Sequence, residues 1–120
     1  MNQNQIIIQQ AIKACIDKNA VTFASLFAEN GEIILNNNRK ILKPEIAKVT
    51  ADYFANLAYI NIEIKNISVA ENKALIDWTW QDYNTLTGKQ NCQDNVISIH
   101  FTSGLISSWQ ENKVLSQLLC

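Results

Sequence analysis

A chain of 120 residues is the size of one domain, long enough to bury a core without disulfide or metal staples. Apolar residues at 48% against charged residues at 18% exclude a disordered chain. A net charge of -1 with no run of three basic residues argues against broad nucleic-acid binding, and no apolar stretch nears the ~20 residues that span a bilayer.

The first residues, Met1 to Gln5, carry no positive charge ahead of the short Ile6-Ile7-Ile8 run, so they do not read as a secretory leader. Ile8, Ala11, Ile12 and Cys15 follow helical spacing and predict an amphipathic helix over 3–18. Asn19 is placed to cap a second helix containing Phe23, Leu26 and Phe27, with Gly31 just past its end. A short strand follows over 32–35, then a turn at Asn36-Asn37-Asn38. Pro44 fits the first turn of a third helix, whose buried face would be Ile46, Val49, Tyr53 and Leu57. The rest alternates with period two, as strands do. Ile60, Ile62 and Ile64 form one apolar row, and Glu71-Asn72-Lys73 a hairpin turn. Ala74, Ile76, Trp78 and Trp80 form the next row. A loop around Gly88 leads to a strand over 94–102, where Ile97, Ile99 and Phe101 alternate with Val96, Ser98 and His100. Ser103-Gly104 turns into a strand over 105–112, and a short helix over 113–119 closes the chain. Helices first and an antiparallel meander afterwards predict an α+β fold with the helices on one sheet face.

Three cysteines, Cys15, Cys92 and Cys120, are an odd number at wide spacing with no CxxC pair. They support neither a zinc site nor a redox motif, and a reducing cytoplasm is the simplest reading. Cys15 reads as a small core residue. Cys120 reads as a terminal, exposed thiol. No phosphate loop, Ser-His-Asp set or metal cluster is visible, so no cofactor or metal is expected.

Four segments in order carry a family resemblance. Ser25-Leu26-Phe27-Ala28-Glu29-Asn30-Gly31-Glu32 is similar to an "lFaedge" segment, and Lys43-Pro44-Glu45-Ile46 to the opening "G-x-e-a-I" of a helix, with Lys43 in place of the usual Gly. Ala74-Leu75-Ile76-Asp77-Trp78-Thr79-Trp80 is similar to "vavrwtw", and the segment from Ser103-Gly104-Leu105-Ile106 to Trp109-Gln110-Glu111 to "dGkI-x-x-w-x-E". Together they resemble the nuclear-transport-factor-2-like (NTF2-like) superfamily in its SnoaL-like branch, over nearly the whole chain. The resemblance implies a single domain over 1–120, a cystatin-like cone whose sheet curls round the helices and leaves a pocket. It further implies that Ile97, Ile99, Phe101, Ser107, Trp109 and Glu111 face inward. By pattern Trp78, Trp80 and Asp82 join them, while Asp77, Thr79, Ser98 and His100 face outward.

The same resemblance tests particular chemistries. A ketosteroid isomerase needs a carboxylate base with a Tyr and a protonated Asp as donors. Those positions fall on Leu35, Ala11 and Ile97, none of which can serve. SnoaL-type cyclases use an acid just after the last strand, where this chain has Asn112-Lys113-Val114. Scytalone-dehydratase-like chemistry wants an inward His, and the single His100 has outward parity unless its strand slips by one residue. Glu111 remains as a candidate acid or base, its pKa raised beside indoles, or else as a strand-end carboxylate paired with a Lys or a backbone amide. Trp78, Trp80 and Trp109 either stack a flat apolar ligand or fill the cone as core. Tyr53 and Tyr59 could supply a hydroxyl near the pocket mouth, Asp82 and Tyr83 lie near a strand end, and Asp82 or a Tyr could assist Glu111. Two functional classes follow. One is a binder of a hydrophobic small molecule, with acid–base isomerase, dehydratase or hydrolase chemistry at Glu111 as its catalytic form. The other is a non-catalytic module with a filled cone that pairs as a homodimer through the outer sheet face.

Overall fold

The computed structural model describes residues 2–114. Helix α1 (Gln3–Ile16) and helix α2 (Ala20–Ser25) come first, then strands β1 (Phe27–Ile34) and β2 (Lys40–Leu42) and helix α3 (Lys43–Phe54). Strands β3 (Leu57–Ala70), β4 (Lys73–Asn84), β5 (Lys89–Thr102) and β6 (Leu105–Lys113) form a meander. One sheet contains all six in the order β2-β1-β6-β5-β4-β3. β1 and β6 run parallel and every other neighbouring pair antiparallel, so the sheet is mixed rather than a plain meander.

Local chemistry explains the helix starts. Asn2 and Gln5 form a capping box, the Asn2 side chain accepting from the Gln5 N–H at 2.8 Å and the Gln5 side chain from the Asn2 N–H at 3.1 Å. Asn19 Oδ1 accepts from the Thr22 N–H at 3.0 Å. Pro44 sits in the first turn of α3, where a missing N–H costs nothing. Ala11 and Ala14 are buried on α1, and their small side chains let the helix lie close to the sheet. The core beneath is aliphatic, with Ile8, Ile46, Ile76, Ile97, Ile99 and Ile106 fully enclosed.

Several expectations change. The second helix stops at Ser25, and Phe27 to Gly31 are strand. Gly31 is therefore no helix cap: a Cβ there would lie 2.9 Å from the carbonyl oxygens of both Ala28 and Ile106. It permits a close backbone approach where the β1–β6 register shifts. On α3, Phe54 takes the core position expected of Tyr53, which is 48% exposed, and Leu57 opens β3 instead. β3 is an edge strand with a register shift between Ile64 and Asn66, so only Ile60 of its expected row is fully buried. A further irregularity, between His100 and Phe101, leaves Ser107 without a β5 partner in the ladder. This bulge turns Ile106 inward and leaves Ser107 half-buried rather than in the inward row.

The strand over 94–102 begins earlier, at Lys89, and its register matches the predicted parity. Ile97, Ile99 and Phe101 are buried and His100 is exposed. Lys113 ends β6 and Val114 is not helical, while residues 115–119 of the expected helix, like Cys120, lie outside the described residues. Cys15 is a buried free thiol whereas Cys92 is disulfide-bonded, so cysteine usage does not argue for a reducing compartment. No helix among the described residues is long and apolar enough to cross a membrane.

Candidate functional site

The curled sheet and α3 enclose a cavity of about 750 Å³. The inner faces of β4, β5 and β6 form one wall, α3 the opposite wall, and the turn between β1 and β2 the rim. Of the residues expected to meet a ligand, Trp78, Trp80, Trp109, Tyr53 and Glu111 line this space. Ile97, Ile99 and Phe101 are inward but sit in the packed core behind it.

The three tryptophans divide their roles. Trp78 and Trp109 are each 1% exposed, so they are core as much as wall. Their ring centroids are 5.9 Å apart with planes inclined by 55°. Phe23, which also lines the cavity, meets Trp109 edge-on at 5.2 Å. Trp80, 5.8 Å from Trp78, is only half-buried and offers ring surface to the cavity.

Asp82 lies just outside the lining and organises it. The alternation of β4 carries it to the inner face, where it is buried. Its Oδ2 accepts from Tyr53 Oη and from Trp80 Nε1, the latter at 2.8 Å. One carboxylate thus ties α3 to β4 and fixes two aromatic side chains that line the cavity. Burial, followed by the bond to Asp82, pushes the Tyr53 hydroxyl well above its ordinary pKa. Tyr53 is therefore a donor held in its neutral form.

Glu111 is inward on β6, opposite Ile97. Its Oε2 accepts from Trp109 Nε1 at 3.3 Å. Among the described residues no lysine or arginine forms an ion pair with it, so the strand-end pairing with a lysine is not realised. Burial raises the carboxyl pKa above its ordinary value, and the indole N–H offsets this only in part. The nearby Cys15 thiol is also pushed up, by burial first and by Glu111 second, which makes it inert as a nucleophile.

A polar row on β5 was absent from the sequence reading. Asn91, Gln93 and Asn95 line the cavity opposite Asp82, Trp80 and Trp78. These residues continue the parity of Ile97 and Ile99, but their composition and the neighbouring Gly88 predict a loop ahead of residue 94. Asn36 and Asn37, expected only as turn residues, form the rim together with Arg39, which the sequence pattern does not single out. On the outer face, Thr79 Oγ1 donates to Asp94 Oδ1 at 2.6 Å, and Lys65 Nζ lies 3.3 Å from the same oxygen. Thr79 is consequently buried, while Leu75 and His100 stay exposed. Among the described residues no three potential ligands are grouped to hold a metal.

No family model and no curated protein matches the sequence. Solved structures do match. A protein with a ketosteroid isomerase-like fold from Catenulispora acidiphila, in complex with trimethylamine, superposes with a TM-score of 0.80 at 16% identity, over 92% of this chain and 86% of that one. A candidate SnoaL-like polyketide cyclase from Shewanella putrefaciens gives 0.82 at 10% identity, over 94% and 80%. An LEH-like epoxide hydrolase from M. tuberculosis gives 0.81 at 10% identity, over 94% and 84%. At these identities the likeness is one of fold: an α+β cone of the NTF2-like and SnoaL-like kind.

Proposed function

We propose that this domain binds a small, mostly apolar molecule in its cone, with Glu111 as the group that gives or takes a proton there. The observation that carries the reading is a carboxyl beside a cavity of about 750 Å³ whose hydrogen-bond partner is one indole N–H and which no cation offsets among the described residues. Trp80 supplies the accessible ring and Tyr53 a neutral hydroxyl. Acid–base isomerisation, dehydration or hydrolysis are the reaction types one such carboxyl serves. The three chemistries tested by resemblance remain disfavoured: Leu35 lines the cavity with no proton to move, and His100 faces away.

Tryptophan emission titrated with naphthalene and 1-naphthol tests this. Saturable quenching or a blue shift, weakened in Trp80→Phe and with altered pH dependence in Glu111→Gln, supports it. An emission unchanged by any ligand of that size overturns it.

A second reading, pairing as a homodimer through the outer sheet face, is compatible with the first. It is favoured by Leu75, 42% exposed, standing opposite Ser98 and near Asp77 and His100. Sedimentation of the wild-type and Leu75→Lys chains tests it, since a dimer through this face should dissociate on gaining the lysine.

A further inference from the structure

Two buried polar atoms among the described residues have no hydrogen-bond partner: the indole Nε1–H of Trp78 and the side-chain oxygen Oδ1 of Asn95. Both residues line the cavity, and they face each other across β4 and β5. Trp78 is 1% and Asn95 6% exposed, so bulk water does not satisfy either atom. A buried donor or acceptor left unmade carries its full desolvation penalty, which is why such groups are rare and worth explaining. Here the two are complementary, a donor and an acceptor on one patch of wall, yet they do not bond to each other.

The chemistry of the patch selects among ligands. A carboxylate would accept from Trp78 but brings no donor for Asn95, and the lining cation, Arg39, is exposed at the rim. An ammonium would donate to Asn95 but brings no acceptor for Trp78. Burial raises the pKa of Glu111, which lies opposite Ile97 and so two residues along the same face from Asn95, and an anionic ligand group there would meet a carboxyl rather than a cation. An uncharged group holding a carbonyl next to an N–H answers both atoms.

We propose that this wall recognises an uncharged carboxamide or lactam group, its carbonyl accepting from Trp78 Nε1 and its N–H donating to Asn95 Oδ1. This rests on the small-molecule reading above and narrows it to a ligand class.

The test uses the full chain with indole nitrogens labelled, titrated with benzamide, acetophenone, benzoate and benzylamine. Acetophenone keeps the carbonyl and replaces the amide nitrogen by a methyl group. Trp78→Phe assigns the Trp78 indole signal. Benzamide is expected to bind about tenfold more tightly than acetophenone and to move the Trp78 indole proton downfield. In Asn95→Leu the two ligands should bind within about twofold of each other, because the acceptor is gone. Should that variant fail to fold, the Trp78 signal on the wild-type chain decides alone. Equal binding of benzamide and acetophenone with that signal unmoved overturns the proposal while leaving the cavity a binding site; such a result is also what a resident water satisfying both atoms gives. Preference for benzoate or benzylamine overturns it too. Failure of all four to bind while naphthalene still quenches tryptophan emission overturns the proposal, and failure of naphthalene as well overturns the small-molecule reading itself.

Discussion

Replacing Glu111 by Gln should change how stability depends on pH. The folded chain holds its proton on Glu111 above the ordinary carboxyl value of 4.5, where the unfolded chain has released it. Between that value and the higher folded one, the folded state binds more protons than the unfolded state. Stability therefore falls as pH rises through this window. One proton gives a slope of at most about 1.4 kcal/mol per pH unit. Below 4.5 the penalty is absent, and above the folded value it is complete and flat. The indole bond at 3.3 Å is long and gives the ionised form only a modest return. Glu111→Gln keeps the shape and an acceptor for Trp109 but cannot ionise. Urea unfolding of both chains, followed by tryptophan emission from below pH 4.5 to about pH 8, isolates this one group from every other titration. The difference should start small and grow in favour of the variant. Parallel curves, or a wild-type chain gaining relative to the variant as pH rises, would refute the reasoning, because the second outcome requires a cation that stabilises the carboxylate.

Asp82→Asn should weaken the tie between α3 and β4, since both of its bonds are made to a carboxylate oxygen. Bonds to a charged group are worth about 1.5–3 kcal/mol, so a loss of roughly 2 kcal/mol in unfolding free energy is expected, with a red shift of Trp80 emission as the ring loosens. An unchanged denaturation midpoint would mean that Asp82 is not the tie. Gly31→Ala places a Cβ 2.9 Å from two backbone oxygens that cannot rotate away. It should cost about 1–3 kcal/mol and lower the thermal midpoint by several degrees, read by circular dichroism.

The sequence carried the sheet well where one face is buried and poorly where packing is one-sided. Ile97, Ile99 and Phe101 alternate with Val96, Ser98 and His100, so once the resemblance fixes which face points inward, the β5 register and the outward place of His100 follow from parity. The resemblance places Trp109 on the inner face, and the alternation of β4 does the same for Trp78. β3 was harder. As an edge strand with a register shift near Ile64, it exposes isoleucines that the pattern assigned to the core. The end of α2 failed because Gly31 carries two meanings, a helix stop or a close backbone contact, and only the position of Ile106 decides between them. Tyr53 and Phe54 are adjacent on α3, so helical spacing could not tell which of them reaches the core.

The polar part of the wall carries strand parity under a loop's composition. Asn91, Gln93 and Asn95 have the composition of a loop, and local propensity disfavours Asn in a strand. Pairing with β4 overrides that preference, since Trp78, Trp80 and Asp82 supply a complete ladder opposite them. A chain selected for stability alone would fill those inward positions with apolar side chains, as it does two residues later at Ile97. Asn95 instead keeps a buried acceptor unpaired, beside an unpaired Trp78 donor and a carboxyl whose neutral form is favoured. Three departures from core chemistry on one face, around a cavity, are what a binding wall requires and what a filled cone would remove. This concentration, more than the fold it shares with many other proteins, makes the cone interior the place to look for function.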